Sequence, residues 1–224
     1  MIRLLIGLMV LGGFLIFLGY KEMKLNAGAE DEPQVISAAD LIANGPGENK
    51  HVRVTDLFMI EKCVYESPDG EDDNYTRLWI PTFTAGEPWI EGYLLESERA
   101  QQLGYFDESA VDIPPSFQIL VYTNKINSRA EFDRFINRDV VQGMIINEIS
   151  SITSENLRLL REEYPDLDPD NVLILEYERK PAGKGKVVGF FAGGLLLMLI
   201  GPGFFIVARS RDKAPVVPDE PMAA

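Results

Sequence analysis

His51-Val-Arg-Val-Thr-Asp-Leu-Phe-Met-Ile60 decides how the middle of this chain is read. Val52 and Val54 alternate with Arg53 and Thr55 before the run turns apolar, the period of two expected of a half-buried strand. Working outward, Ser67 to Asn74 carries Pro68, Asp69, Gly70 and a run of acids, which marks a solvated hairpin loop. Thr76 to Phe83, with Trp79, is a second strand, and Pro81 places it at a sheet edge or ends it. The pattern then predicts a strand over Ile90 to Leu95, a helix over Glu96 to Leu103 turning at Gly104, and a strand over Phe117 to Thr123 after Pro114-Pro115. Ser128-Arg-Ala-Glu131 is a capping box opening a helix through Phe132, Phe135 and Ile136. Val140 to Ile149 is a further strand, with a bulge or bend at Gly143. Ser154 caps a helix that ends before Pro165, and Val172 to Tyr177 is the last strand. On the other side, Ser37-Ala-Ala-Asp40 resembles a capping box for a short helix ending at Asn44-Gly45-Pro46-Gly47, and Glu30 to Gln34 is polar linker. Strands interrupted by short helices give the fold class α+β, built on a small curved β-sheet or barrel.

Further out, each end of the chain is apolar. Leu4 to Tyr20 is 17 residues and Val187 to Ala208 is 22 residues, the latter with no ionisable side chain. At about 1.5 Å per residue these reach roughly 26 and 33 Å against a hydrocarbon core of about 30 Å. The expected organisation is a transmembrane helix over 4–20, an acidic α+β soluble domain over 30–180, a second transmembrane helix over 187–208 and a disordered tail over 209–224. Ala27-Gly28-Ala29 offers a signal-peptidase pattern, but it lies nine residues beyond Tyr20, past Lys21, Glu22 and Lys24, so the first span reads as an uncleaved signal anchor. Positive charges near the two faces are almost balanced; the short amino-terminal tail favours both termini in the cytoplasm and an extracytoplasmic domain. Gly189 and Gly193 form a G-x-x-x-G face, followed by Gly194, which suits close packing of helices in lipid. Gly201-Pro202-Gly203 should bend or loosen that helix.

The whole chain has 35 acids against 21 Lys and Arg, a formal net charge of −14. Between the spans, Lys21 to Lys186 holds 32 acids and 17 bases, a net charge of −15. Such a surface repels nucleic acid and anionic headgroups, so no nucleic-acid partner is expected. Cys63 is the only cysteine and His51 the only histidine, which excludes an intramolecular disulfide and multi-cysteine zinc sites. Cys63 reads as a small packed hydrophobe, with a Cys63–His51 nucleophile pair as the reactive alternative. Asp166-Leu-Asp168-Pro-Asp170-Asn171 alternates carboxylates as a calcium loop does, but the sixth position is Asn171, the twelfth is Tyr177, and Pro169 stiffens the middle. A hydrated turn is the simpler reading, and Glu71-Asp72-Asp73 likewise reads as a loop tip. No phosphate-binding glycine loop, nucleophile elbow or H-E-x-x-H is present, so no cofactor, metal or catalytic residue is assigned.

The stretch Ala39-Asp-Leu-Ile-Ala-Asn-Gly-Pro-Gly-Glu-Asn-Lys-His-Val-Arg-Val-Thr-Asp56 resembles the opening of an uncharacterised family of bacterial two-span membrane proteins of the planctomycete type. The span–β-domain–span order is also similar to the Surfeit-locus cytochrome-oxidase assembly proteins. The expectation is a non-enzymatic, two-pass membrane protein whose partners are the lipid bilayer and another protein, with a role in protein interaction or membrane-complex assembly. A membrane-tethered hydrolase or protease is the alternative.

Overall fold

The computed structural model describes residues 2–68, 74–146 and 152–211. Two compact units make up the chain: Met1–Ala27 with Ala182–Ala224, and Gly28–Pro181.

The second unit is mixed α/β, and its centre is an eight-stranded, curved and nearly closed sheet. In chain order the strands are β1 (Gln34–Ser37), β2 (His51–Thr55), β3 (Leu57–Met59), β4 (Val64–Glu66), β5 (Arg77–Thr84), β6 (Ile119–Thr123), β7 (Val141–Ile145) and β8 (Leu173–Tyr177). They lie in the order β1-β2-β7-β8-β6-β5-β3, with β4 also paired to β5. Only β1–β2 and β6–β8 run parallel. The stretch His51 to Ile60, expected as one strand, is therefore two. Asp56 adopts φ 59°, a left-handed conformation that Asp tolerates better than most residues. Its carbonyl accepts from the Ala85 amide at 2.7 Å, and the next amide, that of Leu57, donates to the Asp139 carbonyl at 3.2 Å. The kink sends the first half of the segment to β2, next to one end of the strand order, and the second half to β3, at the other end. Asp56 thereby brings opposite sides of the strand order together in one short segment of a curved sheet.

Two other departures from the sequence reading have the same origin, in strand pairing that no local pattern displays. Pro81 was expected at an edge, yet β5 is bordered on both sides. On one flank β4 covers Arg77 to Trp79 and β3 covers Thr82 to Thr84, so Ile80 and Pro81 fall in the gap between them. A residue without an N–H costs no ladder bond there. Gly143 makes no bulge: it sits in register with Val52 on β2 and Tyr177 on β8. A Cβ at this position would overlap the carbonyl oxygen of Glu176 and lie 2.8 Å from its carbonyl carbon. Close backbone approach explains the glycine.

Among the described residues, four α-helices accompany the sheet: α2 (Ala38–Asn44), α3 (Pro88–Leu103), α4 (Arg129–Ile136) and α5 (Ser154–Glu163). Ser37 Oγ accepts from the Asp40 amide at 3.1 Å, so the expected cap on α2 forms. On α4, Ser128 Oγ accepts from Glu131 N, and Glu131 Oε2 accepts from the Asn127 amide. Such caps contribute about 1 kcal/mol each. The cap of α5 is Thr153 rather than Ser154, one residue earlier than expected. The strand expected over Ile90 to Leu95 does not exist; α3 runs from Pro88 to Leu103 as one helix. Pro88 at its first turn is preorganised for helix, and Gly104 closes it with φ 80°. The core joins Val52, Val54, Leu78, Ile80, Ile119, Val121 and Leu175 from the strands with Leu41, Phe132 and Phe135 from the helices.

The first unit contains α1 (Ile2–Asn26) and α6 (Lys184–Arg211). Within α1, the 22 residues Leu5–Asn26 are long and apolar enough to cross a membrane. The second expected span, 187–208, lies wholly in α6, but the described side chains give α6 an apolar stretch only over Gly185–Ile200, shorter than a span requires. Helix α6 continues through Pro202, where a bend was expected, and takes in Arg209 to Arg211 of the expected tail 209–224; the remainder of that tail lies outside the described residues, as does Glu71-Asp72-Asp73.

Candidate functional site

The two side chains most open to a catalytic reading are both structural in their surroundings. His51 is 1% exposed. Its Nδ1 lies 3.0 Å from the Glu30 carbonyl oxygen, which can only accept, so Nδ1 carries the proton; Nε2 faces the Gln142 amide at 3.4 Å. Buried Asn49 completes the cluster, since Oδ1 accepts from the Glu30 and His51 amides and Nδ2 donates to the Glu32 carbonyl. Together Asn49 and His51 fix the segment entering β1. Burial pushes the Cys63 thiol up to about 12, outweighing the opposing pull of Arg129. A thiol held protonated that firmly is a poor nucleophile at neutral pH. The hydrogen-bond partners of His51 do not include Cys63.

In the carboxylate stretch, Asp168 is committed to its own turn. Its Oδ1 accepts from the Asp170 amide at 3.2 Å and its Oδ2 from Asn171 Nδ2 at 2.6 Å, capping the 3-10 turn Pro169–Asn171. Asp166 and Asp168 also line a cleft of about 300 Å³ with Glu87, Ser116 and Gln118. Among the described residues, no group of three or more His, Cys, Asp or Glu side chains is placed to hold a metal ion.

A groove of about 630 Å³ runs beside α3, lined by Tyr93, Ser97, Gln101, Tyr105, Phe106 and Ile113, with Glu61 and Lys62 at its rim. Its floor follows from the aromatic spacing of α3. Trp89 and Tyr93, four apart and so on one side of the helix, both meet Phe58 of β3 edge-on at 5.7 Å. Trp89 also meets Phe83 at 4.8 Å, and Tyr93 meets Phe106 at 5.3 Å. Each such pair adds about 0.5–1.5 kcal/mol beyond burial. Glu87 steadies the start of α3: its carboxylate accepts from Trp89 Nε1 at 2.7 Å and from the Thr84 amide at 3.1 Å.

The far wall of the groove, Tyr105 and Phe106, hangs from a buried charge. Glu96, 6% exposed, accepts from the Asp107 amide at 3.0 Å and pairs with Arg99 at 3.2 Å. Asp107 in turn accepts from the Ser109 hydroxyl and amide, which holds its carboxyl below the usual carboxylate range. The exposed residues of α3 and the turn after it include large apolar side chains among the charged and polar ones. Leu94 is 50% exposed, Leu95 62%, Leu103 54% and Tyr105 57%. They stand in an acidic setting: residues 84–118 hold seven acids and one base, Arg99.

In the first unit, the expected glycine face is not where the helices approach most closely. A Cβ on Gly189 would meet nothing within 4 Å, and one on Gly193 would only graze Leu15 at 3.9 Å. The close approach is Gly12 against Gly194: a Cβ on either would lie 2.7 Å from the other's carbonyl oxygen. Gly19 lies over Phe190 and Phe191, and Glu22 pairs with Lys186 at 3.3 Å. Gly194 stands one residue beyond the expected pair, and the glycine period on α1 carried the missing half of the signal.

No protein-family model matches this chain, and neither does any curated protein or solved structure. The groove and the exposed leucines of α3 were not singled out in the sequence, because Ile90 to Leu95 read as a strand there. The signal that finds them is Pro88 with Trp89 and Tyr93 four apart, a helix start.

Proposed function

We propose that this chain is a two-span membrane protein, held by α1 and by the whole apolar run 187–208 of α6, whose acidic domain docks another protein and so takes part in assembling a membrane complex. In this reading the domain lies on the extracytoplasmic side and its role is one of interaction rather than catalysis. The observation that carries this reading is the pair of solvent-exposed leucines, Leu94 and Leu95, on α3 beside an aromatic groove. Large apolar side chains left in solvent at the border of a groove are a feature of interaction sites. The half-buried Cys63, its thiol pushed up to about 12, and the pinned His51 count against a hydrolase built on those residues.

The reading is tested on native membranes. The full chain should resist alkaline carbonate extraction with its amino terminus intact, lose the segment 28–181 to protease added outside spheroplasts, and migrate in mild detergent at a mass well above its own 25.1 kDa plus the micelle. Migration as a lone chain, or a mature terminus after Ala29, refutes it.

A further inference from the structure

The groove beside α3 has a specific kind of occupant. At 100° per residue, Tyr93, Ser97 and Ala100 face one way along α3 and line the groove. Leu94 comes next around the helix, at the groove's border, and Leu95 follows further out. An apolar strip thus leads from Phe106 and Ile113 in the groove over Tyr93 to the solvent-facing Leu94, with Tyr105 on the opposite lip. The surroundings are acidic. Glu91 and Glu98 lie three or four residues from Leu94 and Leu95 and are exposed, and Asp112 is exposed next to the lining residue Ile113. The bases near the groove are already paired, Lys62 with Glu163 at 2.8 Å and Arg99 with Glu96. An apolar strip bordered by uncompensated carboxylates is complementary to a helix with one apolar face and basic flanks.

Resting on the interaction reading above, we infer that the α3 groove binds a basic amphipathic helix of a partner protein, with Leu94, Tyr93 and Tyr105 receiving the apolar face and Glu91 and Glu98 meeting its lysines or arginines. The same acidity disfavours insertion of this face into an anionic bilayer, which carries like charge. Selectivity follows from the pairing of both features, since an acidic helix with an identical apolar face is repelled.

The test uses the full chain in nanodiscs of neutral lipid and three 18-residue synthetic peptides. One is a helix with a leucine face and lysine flanks, the second has glutamate in place of lysine, and the third is a scramble of the first. The lysine peptide should bind, at least tenfold more tightly than the glutamate peptide or the scramble, and more weakly as salt rises. Leu94→Ser should weaken it at least tenfold and Glu91→Gln with Glu98→Gln severalfold, while Val35→Ser, at a more exposed apolar residue on β1, should change nothing. All these sites are exposed, so loss of fold is not at issue, and unchanged tryptophan fluorescence verifies it. Equal binding of the glutamate peptide, indifference to Leu94→Ser, or displacement of the lysine peptide by neutral vesicles overturns the inference. If the peptide fails while the chain still migrates in its large complex, this groove is wrong and the interaction reading stands. If the wild-type chain migrates alone, both fall.

Discussion

Replacing Gly143 by alanine is the sharpest test of the sheet. Strand β7 lies between β2 and β8, and the added methyl would overlap the Glu176 carbonyl oxygen and stand 2.8 Å from its carbon, with Leu175 Cδ1 at 3.2 Å. The first two obstacles are backbone atoms of a paired strand, so no rotamer change clears them. Relief requires β7 and β8 to part, which strains ladder bonds such as Glu178 N–H to the Gln142 carbonyl at 2.8 Å. Overpacking costs about 1–3 kcal/mol and each weakened hydrogen bond about 1 kcal/mol, so the variant should lose about 2–5 kcal/mol. The chain has only two tryptophans, Trp79 and Trp89, and both belong to the domain, so their fluorescence follows its unfolding without contribution from α1 or α6. With a slope of about 2 kcal/mol per molar urea, the midpoint of the full chain in detergent should fall by about 1–2.5 M. Gly92→Ala on α3, where a Cβ meets nothing within 4 Å, should instead stabilise by up to about 1 kcal/mol. An unchanged midpoint for Gly143→Ala would refute the tight β7–β8 register.

In the helical hairpin, Gly194→Ile should separate α1 from α6 and Gly189→Ile should not. Oxidative crosslinking of Glu22→Cys with Lys186→Cys, in a Cys63→Ala background, reads this as lost against retained yield, and equal yields would contradict the Gly12–Gly194 contact. Cys63 should react with a thiol reagent at pH 8 about a thousandfold more slowly in the folded chain than in denaturant, because its folded value of about 12 leaves far less thiolate than an ordinary thiol has. The same shift sets a pH dependence. Below pH 9 both states keep the proton and the contribution is whole; between about pH 9 and 12 the unfolded thiol ionises while the folded one does not, so stability falls as pH rises. Cys63→Ala should flatten the stability profile over that window, and an identical profile would count against a buried thiol.

What could be read from the sequence was local. The caps at Ser37 and Ser128, the strands around Val52, Trp79, Val121 and Leu175, and the apolar character of α1 each rest on a few adjacent residues. What escaped depends on partners distant in the chain. Asp56 shows no breaker residue, and its left-handed turn is stabilised by Ala85 and, through Leu57, by Asp139. Strand β1 is four residues long and runs straight into its helix cap, too short for alternation to register. Leu94 and Leu95 broke the helical pattern of α3 because they face solvent, and that is also why they bear on function.

The kink at Asp56 also sets the order in which the domain can be made. Leu57–Met59 finds its partner in Arg77–Thr84, soon after synthesis, whereas His51–Thr55, only two residues upstream of Leu57, has no antiparallel partner until Val141–Ile145 appears. The four-residue β1 is its sole neighbour meanwhile. One end of a single segment is therefore satisfied early and the other waits for most of the domain, since long loops must close before distant pairing is rewarded. During that interval Val52 and Val54 lie on an unprotected strand edge, the kind of surface that recruits other chains. The amino-terminal half of the domain therefore carries the longest-lived open edge during synthesis, and it closes only when Val141–Ile145 arrives.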